Sequence, residues 1–130
     1  MIFQSDRLIT FSDSDLAGFM FFAKAFDLAH QTLEQFISQS PIGWENWFRN
    51  SDFKVPLRHA EADFYAPILP GQTLNLQLHL KKIGDSSIHF STQFFNEQTL
   101  CCDVITVHTF VSPDMKQKMA VPQFIIDSLS

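Results

Sequence analysis

A chain of 130 residues with 45% hydrophobic and 18% charged side chains can bury a core of its own, which excludes an intrinsically disordered protein. Nine Lys and Arg stand against 14 Asp and Glu, a formal net charge of −5. That sign excludes a protein that binds nucleic acid or an anionic membrane by neutralising phosphates.

The apolar run that ends at Lys24 is far too short to span a bilayer. Asp6 and Arg7 fall where a secretory leader would carry its apolar stretch. The only two cysteines, Cys101 and Cys102, are neighbours and could bridge each other only with strain. These features point to a reducing, cytoplasmic setting. Phe accounts for 15 residues, so the rings either pack a dense core or line a slot for a flat ligand.

Residues 2–11 alternate loosely and predict a strand that stops at Ser12-Asp13-Ser14-Asp15. Residues 22–38 carry the helical period, with Phe22, Phe26, Ala29, Leu33, Phe36 and Ile37 on one stripe. Ser40-Pro41 and Gly43 end that helix, and residues 44–50 form a short helix or turn. Residues 54–65 read as a strand closed by Pro67, Pro70 and Gly71. Leu74, Leu76, Leu78 and Leu80 alternate with polar residues and fall on one strand face. His79 lies on the other face, toward solvent. Gly84-Asp85 turns into a strand over 87–95, and Asn96-Glu97 turns into a strand over 99–111. A short helix follows Val121-Pro122.

The order is a strand, a long helix and then a run of strands. The economical packing is α+β: an antiparallel sheet of about five strands curled around one central helix, the hotdog fold, as a single domain over residues 1–130. By analogy, such sheets pair edge to edge, so a homodimer or homotetramer is expected.

The segment from Asp13 to Phe22 carries the candidate chemistry. Asp13 and Asp15 precede the Ala17-Gly18 turn and the start of the helix. A carboxylate beside a helix N-terminus can attack a carbonyl, or aim water at one, while unpaired N–H groups hold the oxyanion. Either aspartate could instead simply cap the helix.

This stretch, Phe11-Ser-Asp-Ser-Asp-Leu-Ala-Gly-Phe-Met-Phe-Phe22, resembles the D-x-D-x-x-G motif of the 4-hydroxybenzoyl-CoA thioesterase family. The resemblance continues through Val55-Pro-Leu-Arg-His-Ala-Glu-Ala-Asp-Phe-Tyr-Ala-Pro67, Gly71, Ile83-Gly-Asp-Ser-Ser87 and Val107-His-Thr-Phe-Val111. It implies that Asp15 is the catalytic carboxylate, that Asp13 holds the turn, and that the Phe22 backbone N–H is the oxyanion donor. It implies hydrolysis of an acyl-CoA, with no metal and no organic cofactor. His30 corresponds to the family position that faces the ring hydroxyl of an aromatic acyl group. Ala29-His30-Gln-Thr-Leu-Glu34 and Val55-Pro-Leu-Arg-His59-Ala are most similar to the 1,4-dihydroxy-2-naphthoyl-CoA hydrolase branch, which serves quinone synthesis. His30 could equally be a core histidine.

Gly18, Val55, His59 and Glu61 are further candidates for substrate contact, although His59 and Glu61 would also suit a polar pair at a subunit interface. Some relatives hold the CoA phosphates at the turn after the third strand. Here Lys81 and Lys82 precede that turn and Arg58 lies apart, so these three are the candidate phosphate contacts or else solvated side chains. No His pair has metal-ligand spacing. A short-chain aliphatic or carrier-protein thioesterase, and a non-catalytic acyl-CoA-binding module, are the competing readings.

Overall fold

The computed structural model describes residues 1–129. Strands β1 (Phe3–Leu8), β2 (Leu57–Phe64), β3 (Thr73–Ile83), β4 (Ser87–Asn96) and β5 (Thr99–Thr109) form one antiparallel sheet in the order β1-β3-β4-β5-β2. The long helix α1 (Ala23–Gln39) packs on one face, followed by α2 (Trp44–Phe48), and α3 (Gln123–Leu129) closes one end. This is the expected α+β hotdog arrangement. Both β1 and β2 are edges. No helix among the described residues is long and apolar enough to cross a membrane.

The alternation in β3 is realised as read. Leu74, Leu76 and Leu78 are fully buried, and Leu80 is half-buried on the same face. Burying each of those leucines contributes about 2 kcal/mol. Register shifts between Leu57 and His59, Leu80 and Lys82, and Phe94 and Phe95 coil the sheet around α1. The last of these leaves Cys101 as the extra residue between Leu100 and Cys102. Both cysteines are therefore buried although they are adjacent.

Four expectations need correction. The first strand ends at Leu8, and Phe11–Asp13 is a single 3₁₀ turn, because Asp13 folds back on Thr10. The second strand starts at Leu57 rather than residue 54, since Pro56 cannot donate to the ladder. The buried stripe of α1 is Ala25, Leu28, Ala29, Thr32, Leu33 and Ile37, whereas Phe22 is 61% exposed and Phe26 and Phe36 are half-buried. His79 is half-buried rather than solvated, and its Nε2 has no hydrogen-bond partner among the described residues.

The phenylalanines are not mainly core. Phe53, Phe90, Phe94 and Phe110 are buried, but Phe11, Phe19, Phe21, Phe22, Phe64 and Phe124 are exposed. Four of these six lie between residues 11 and 22, around the segment that carries the candidate chemistry.

Candidate active site

Asp13 fixes the entry to α1. Its Oδ2 accepts from the Thr10 N–H at 2.9 Å and from the Thr10 hydroxyl at 3.0 Å. Arg7 approaches the same oxygen to 3.6 Å, and the Lys24 ammonium lies 3.8 Å from Oδ1. Burial alone would raise the pKa of this carboxyl. The Thr10 hydrogen bonds and the two cations more than offset it and hold the group below its ordinary value. The Asp13 carbonyl accepts from the Phe21 N–H at 2.8 Å, so the aspartate ties β1 to the start of α1 through side chain and backbone together.

Between those anchors the chain makes a tight hairpin. Ser14 bridges Met20, the Asp15 N–H donates to the Phe19 carbonyl at 2.9 Å, and the Gly18 N–H donates to the Asp15 carbonyl at 3.1 Å. Gly18 has φ +86, a left-handed conformation that costs glycine nothing. A Cβ there would meet nothing within 4 Å, so the requirement for glycine is one of backbone geometry, not of space. Met20 docks the hairpin on the body of the fold through its N–H to the Ile68 carbonyl at 2.7 Å.

Asp15 sits at the tip and is exposed. Its Oδ1 accepts from the Ala17 N–H at 2.9 Å, which fixes the carboxylate's direction, and Oδ2 has no partner among the described residues. The other arm of the hairpin runs directly into α1. Phe22 caps that helix without any side-chain hydrogen bond, and the N–H groups of Phe22 and Ala23 have no acceptor among the described residues. No acidic side chain occupies the first turn to neutralise the positive end of the helix dipole. A directed carboxylate and an open pair of N–H donors thus share one short hairpin. That pairing is what acyl transfer needs: a nucleophile or base, and a seat for the oxyanion.

Beside the hairpin lies a cavity of ≈ 370 Å³, lined by Phe19, Met20, Phe64, Tyr65, Ala66 and Ile68 among others. Two turns into α1, His30 is exposed with its ring 6.0 Å from Phe48. Phe48 lies 5.3 Å from Trp44, whose Nε1 donates to Glu34 at 2.8 Å and whose ring carries the Arg49 guanidinium 5.1 Å above it. Val55 is half-buried and lines a second cavity of ≈ 240 Å³ together with Trp47 and Phe48.

Beneath α1, His108 is buried between Trp47 and Phe90, with Nε2 3.2 Å from the Thr106 hydroxyl. Burial above all, and the neighbouring His30, push its pKa down to about 4, so the ring is neutral at ordinary pH. Trp44, Phe48 and His108 were not singled out from the sequence. Their signal is weak there, because α2 is only five residues long and His108 reads as one more strand histidine.

The remaining candidates lie elsewhere. His59 and Glu61 are 3.3 Å apart on exposed β2, but they alternate with Ala62, which packs into the core on the α1 side. They therefore face away from α1 of their own chain. Lys81 and Lys82 are exposed near the end of β3. The fold brings Lys82 and Arg58 together around His89. Burial lowers that imidazole's pKa first, and Lys82, Arg58 and His59 lower it further.

The sequence profile of the Thioesterase-like superfamily matches residues 9–129, nearly the whole chain. The chain belongs to this superfamily. Thioester hydrolysis is accordingly its class of chemistry. Among superfamily relatives, the 1,4-dihydroxy-2-naphthoyl-CoA hydrolase of Crocosphaera subtropica is 29% identical over 119 residues, covering 89% of this chain and 87% of that one. The enzyme of the same name from Nostoc punctiforme is 27% identical over 129 residues, covering 99% and 87%. The crystal structure of a 1,4-dihydroxy-2-naphthoyl-CoA thioesterase from Synechocystis superposes with a TM-score of 0.87 at 23% identity, covering 98% of this chain and 94% of that one. At that identity the likeness establishes the hotdog fold.

Proposed function

We propose that the chain hydrolyses 1,4-dihydroxy-2-naphthoyl-CoA to the aromatic acid and coenzyme A, in the cytoplasm and as a homodimer. One observation carries the reading. An exposed, directed carboxylate, Asp15, and the uncapped N-terminus of α1 sit on one hairpin. In this mechanism the Phe22 N–H and the helix dipole receive the thioester oxygen. Asp15 either attacks the carbonyl carbon or takes a proton from the water that does. In the first route the C–S bond breaks, the thiolate leaves, and water opens the mixed anhydride to restore Asp15. In the second the tetrahedral intermediate expels the thiolate directly.

The acyl group is supported by two features. The relatives from Crocosphaera subtropica and Nostoc punctiforme carry that substrate in their names. The Cα of His30 lies about 12 Å along α1 from that of Phe22, and its side chain leans back toward the N-terminus, a span suited to a bicyclic acyl group. Its imidazole would then bond a ring hydroxyl.

The dimer is supported by the β2 edge, where Leu57, Phe64 and Tyr65 are exposed beside unpaired backbone groups, and by the exposed Phe11, Leu16, Phe19 and Phe22 around the hairpin. A second copy pairing through β2 would cover this surface.

The test is thiol release from 1,4-dihydroxy-2-naphthoyl-CoA, 4-hydroxybenzoyl-CoA, benzoyl-CoA and short aliphatic acyl-CoAs. The naphthoyl ester should be hydrolysed fastest. Faster turnover of an aliphatic ester removes the proposed acyl group and the role of His30. A monomer by light scattering removes the dimer.

A further inference from the structure

An acyl group that starts at the Phe22 N–H and runs along α1 to His30 meets one more ring. Phe48, the last residue of α2, is half-buried, and its ring centre lies 6.0 Å from that of His30. Phe48 also lines the cavity of ≈ 240 Å³ whose other walls include Trp47, Phe53, Val55 and Pro56, and His30 does not. The Phe48 ring therefore stands between the exposed imidazole on one side and an apolar space on the other.

That ring is mounted firmly for a helix of only five residues. Trp47 anchors α2 from below: it is 3% exposed, and its ring meets Phe110 at 5.6 Å and His108 at 6.2 Å, both edge to face. Trp44 anchors it from the side, through the hydrogen bond from Nε1 to Glu34 on α1 and the Arg49 guanidinium above its ring. The Asn46 amide donates to the Ile42 carbonyl at 2.9 Å, which fixes the turn before the helix. Phe48 follows Trp44 by one turn and packs on it at 5.3 Å. To swing aside, Phe48 must give up that packing or carry α2 with it. A ring held this way is a fixed wall and not a flap.

We propose that Phe48 sets the length of the acyl group this chain accepts, an inference that rests on the function proposed above. A bicyclic acyl group that reaches His30 ends against the Phe48 ring. A longer rigid group, such as a biaryl, has to enter the space behind that ring, where apolar walls already stand. The two residues then read different properties of the substrate. His30 reads a hydroxyl by hydrogen bonding, and Phe48 reads length by exclusion. Val55 lies on the cavity side of Phe48, so it touches an acyl group only once that ring is cut back.

The test compares kcat/KM for biphenyl-4-carbonyl-CoA with that for 1,4-dihydroxy-2-naphthoyl-CoA. The unaltered chain should hydrolyse the biphenyl ester more slowly, and equal rates overturn the assignment. In Phe48→Ala the ratio of the biphenyl ester to the naphthoyl ester should rise by about tenfold or more. In Phe36→Ala, which truncates a half-buried ring of α1 that packs on Phe3, it should change by less than about twofold. No rise in the first variant, or an equal rise in both, overturns the assignment. If the alanine variant fails to fold, Phe48→Leu keeps the apolar packing and should raise the ratio by about threefold. Calorimetric titration with the free acids reads the wall without any turnover. Should no ester be hydrolysed, the proposed function falls alone if Phe48→Leu gains affinity for biphenyl-4-carboxylic acid relative to 1,4-dihydroxy-2-naphthoic acid. Unchanged relative affinity, or binding of neither acid to any form, overturns the role of Phe48.

Discussion

Asp13 and Asp15 are the same side chain two residues apart, and the fold treats them in opposite ways. Asp13 is 2% exposed and engaged by Thr10, Arg7 and Lys24. Asp15 is exposed, held by a single N–H from Ala17. The difference separates what positions a site from what reacts in it. A carboxylate used up by hydrogen bonds and cations is a poor nucleophile and a good anchor. A carboxylate held by one oxygen keeps the other available. The hairpin needs both, because the anchor decides where the free group points.

The largest expected effect breaks the pair at its reactive member. Asp15→Asn should lower kcat by about 10³-fold while leaving the urea midpoint essentially unchanged. A variant with nearly full activity would remove Asp15 from the chemistry.

The next effect separates Asp13 from the buried histidine by pH. His108 titrates at about 4 in the fold and near 6.5 when unfolded, so the unfolded chain binds the extra proton first. Stability is full above about pH 6.5 and falls by up to about 3 kcal/mol as pH drops toward 4. His79 and His89, also lowered, act with the same sign. In urea melts at pH 7 and pH 4.5, His108→Gln should remove the larger share of that slope. An unchanged slope would place its origin elsewhere. Asp13 contributes in a lower window. Its depressed pKa keeps its share of stability above the ordinary carboxylate range and loses it below.

Asp13→Asn should then cost about 2 kcal/mol at pH 7, mostly through the Thr10 hydrogen bonds, because Arg7 and Lys24 are partly solvated. Its loss of activity should be smaller than that of Asp15→Asn. The reverse order would exchange the two roles. The smallest effect tests the geometry between them. Gly18→Ala should cost about 1 kcal/mol, since the strain comes from φ alone. A neutral result would mean that the hairpin relaxes without penalty.

Much of the fold was legible. The period of two in Leu74 to Leu80 marks a face that the sheet does bury, and the helical spacing after Phe22 marks the existence of α1. The Asp13–Gly18 segment was legible through its spacing and its resemblance. The buried face of α1 was misplaced because Phe22 and Phe26 have the hydrophobicity of core residues, whereas Phe22 lies in the exposed apolar surface around the hairpin. The register shifts carry no mark in the sequence, so Cys101 and Cys102 could not be read as buried together.

The bulge that buries both cysteines also seals their chemistry. Desolvation above all, with the nearby Asp103, pushes the Cys102 thiol up to about 12, and Cys101 is only 1% exposed. Thiolate is the species that alkylating reagents and peroxides consume. The native chain therefore presents no reactive thiol among the described residues, and each opening of the β4–β5 ladder presents two at once. Its rate of labelling by a maleimide is a clock for unfolding of the central sheet, one that runs in a crude extract and needs no probe to be introduced.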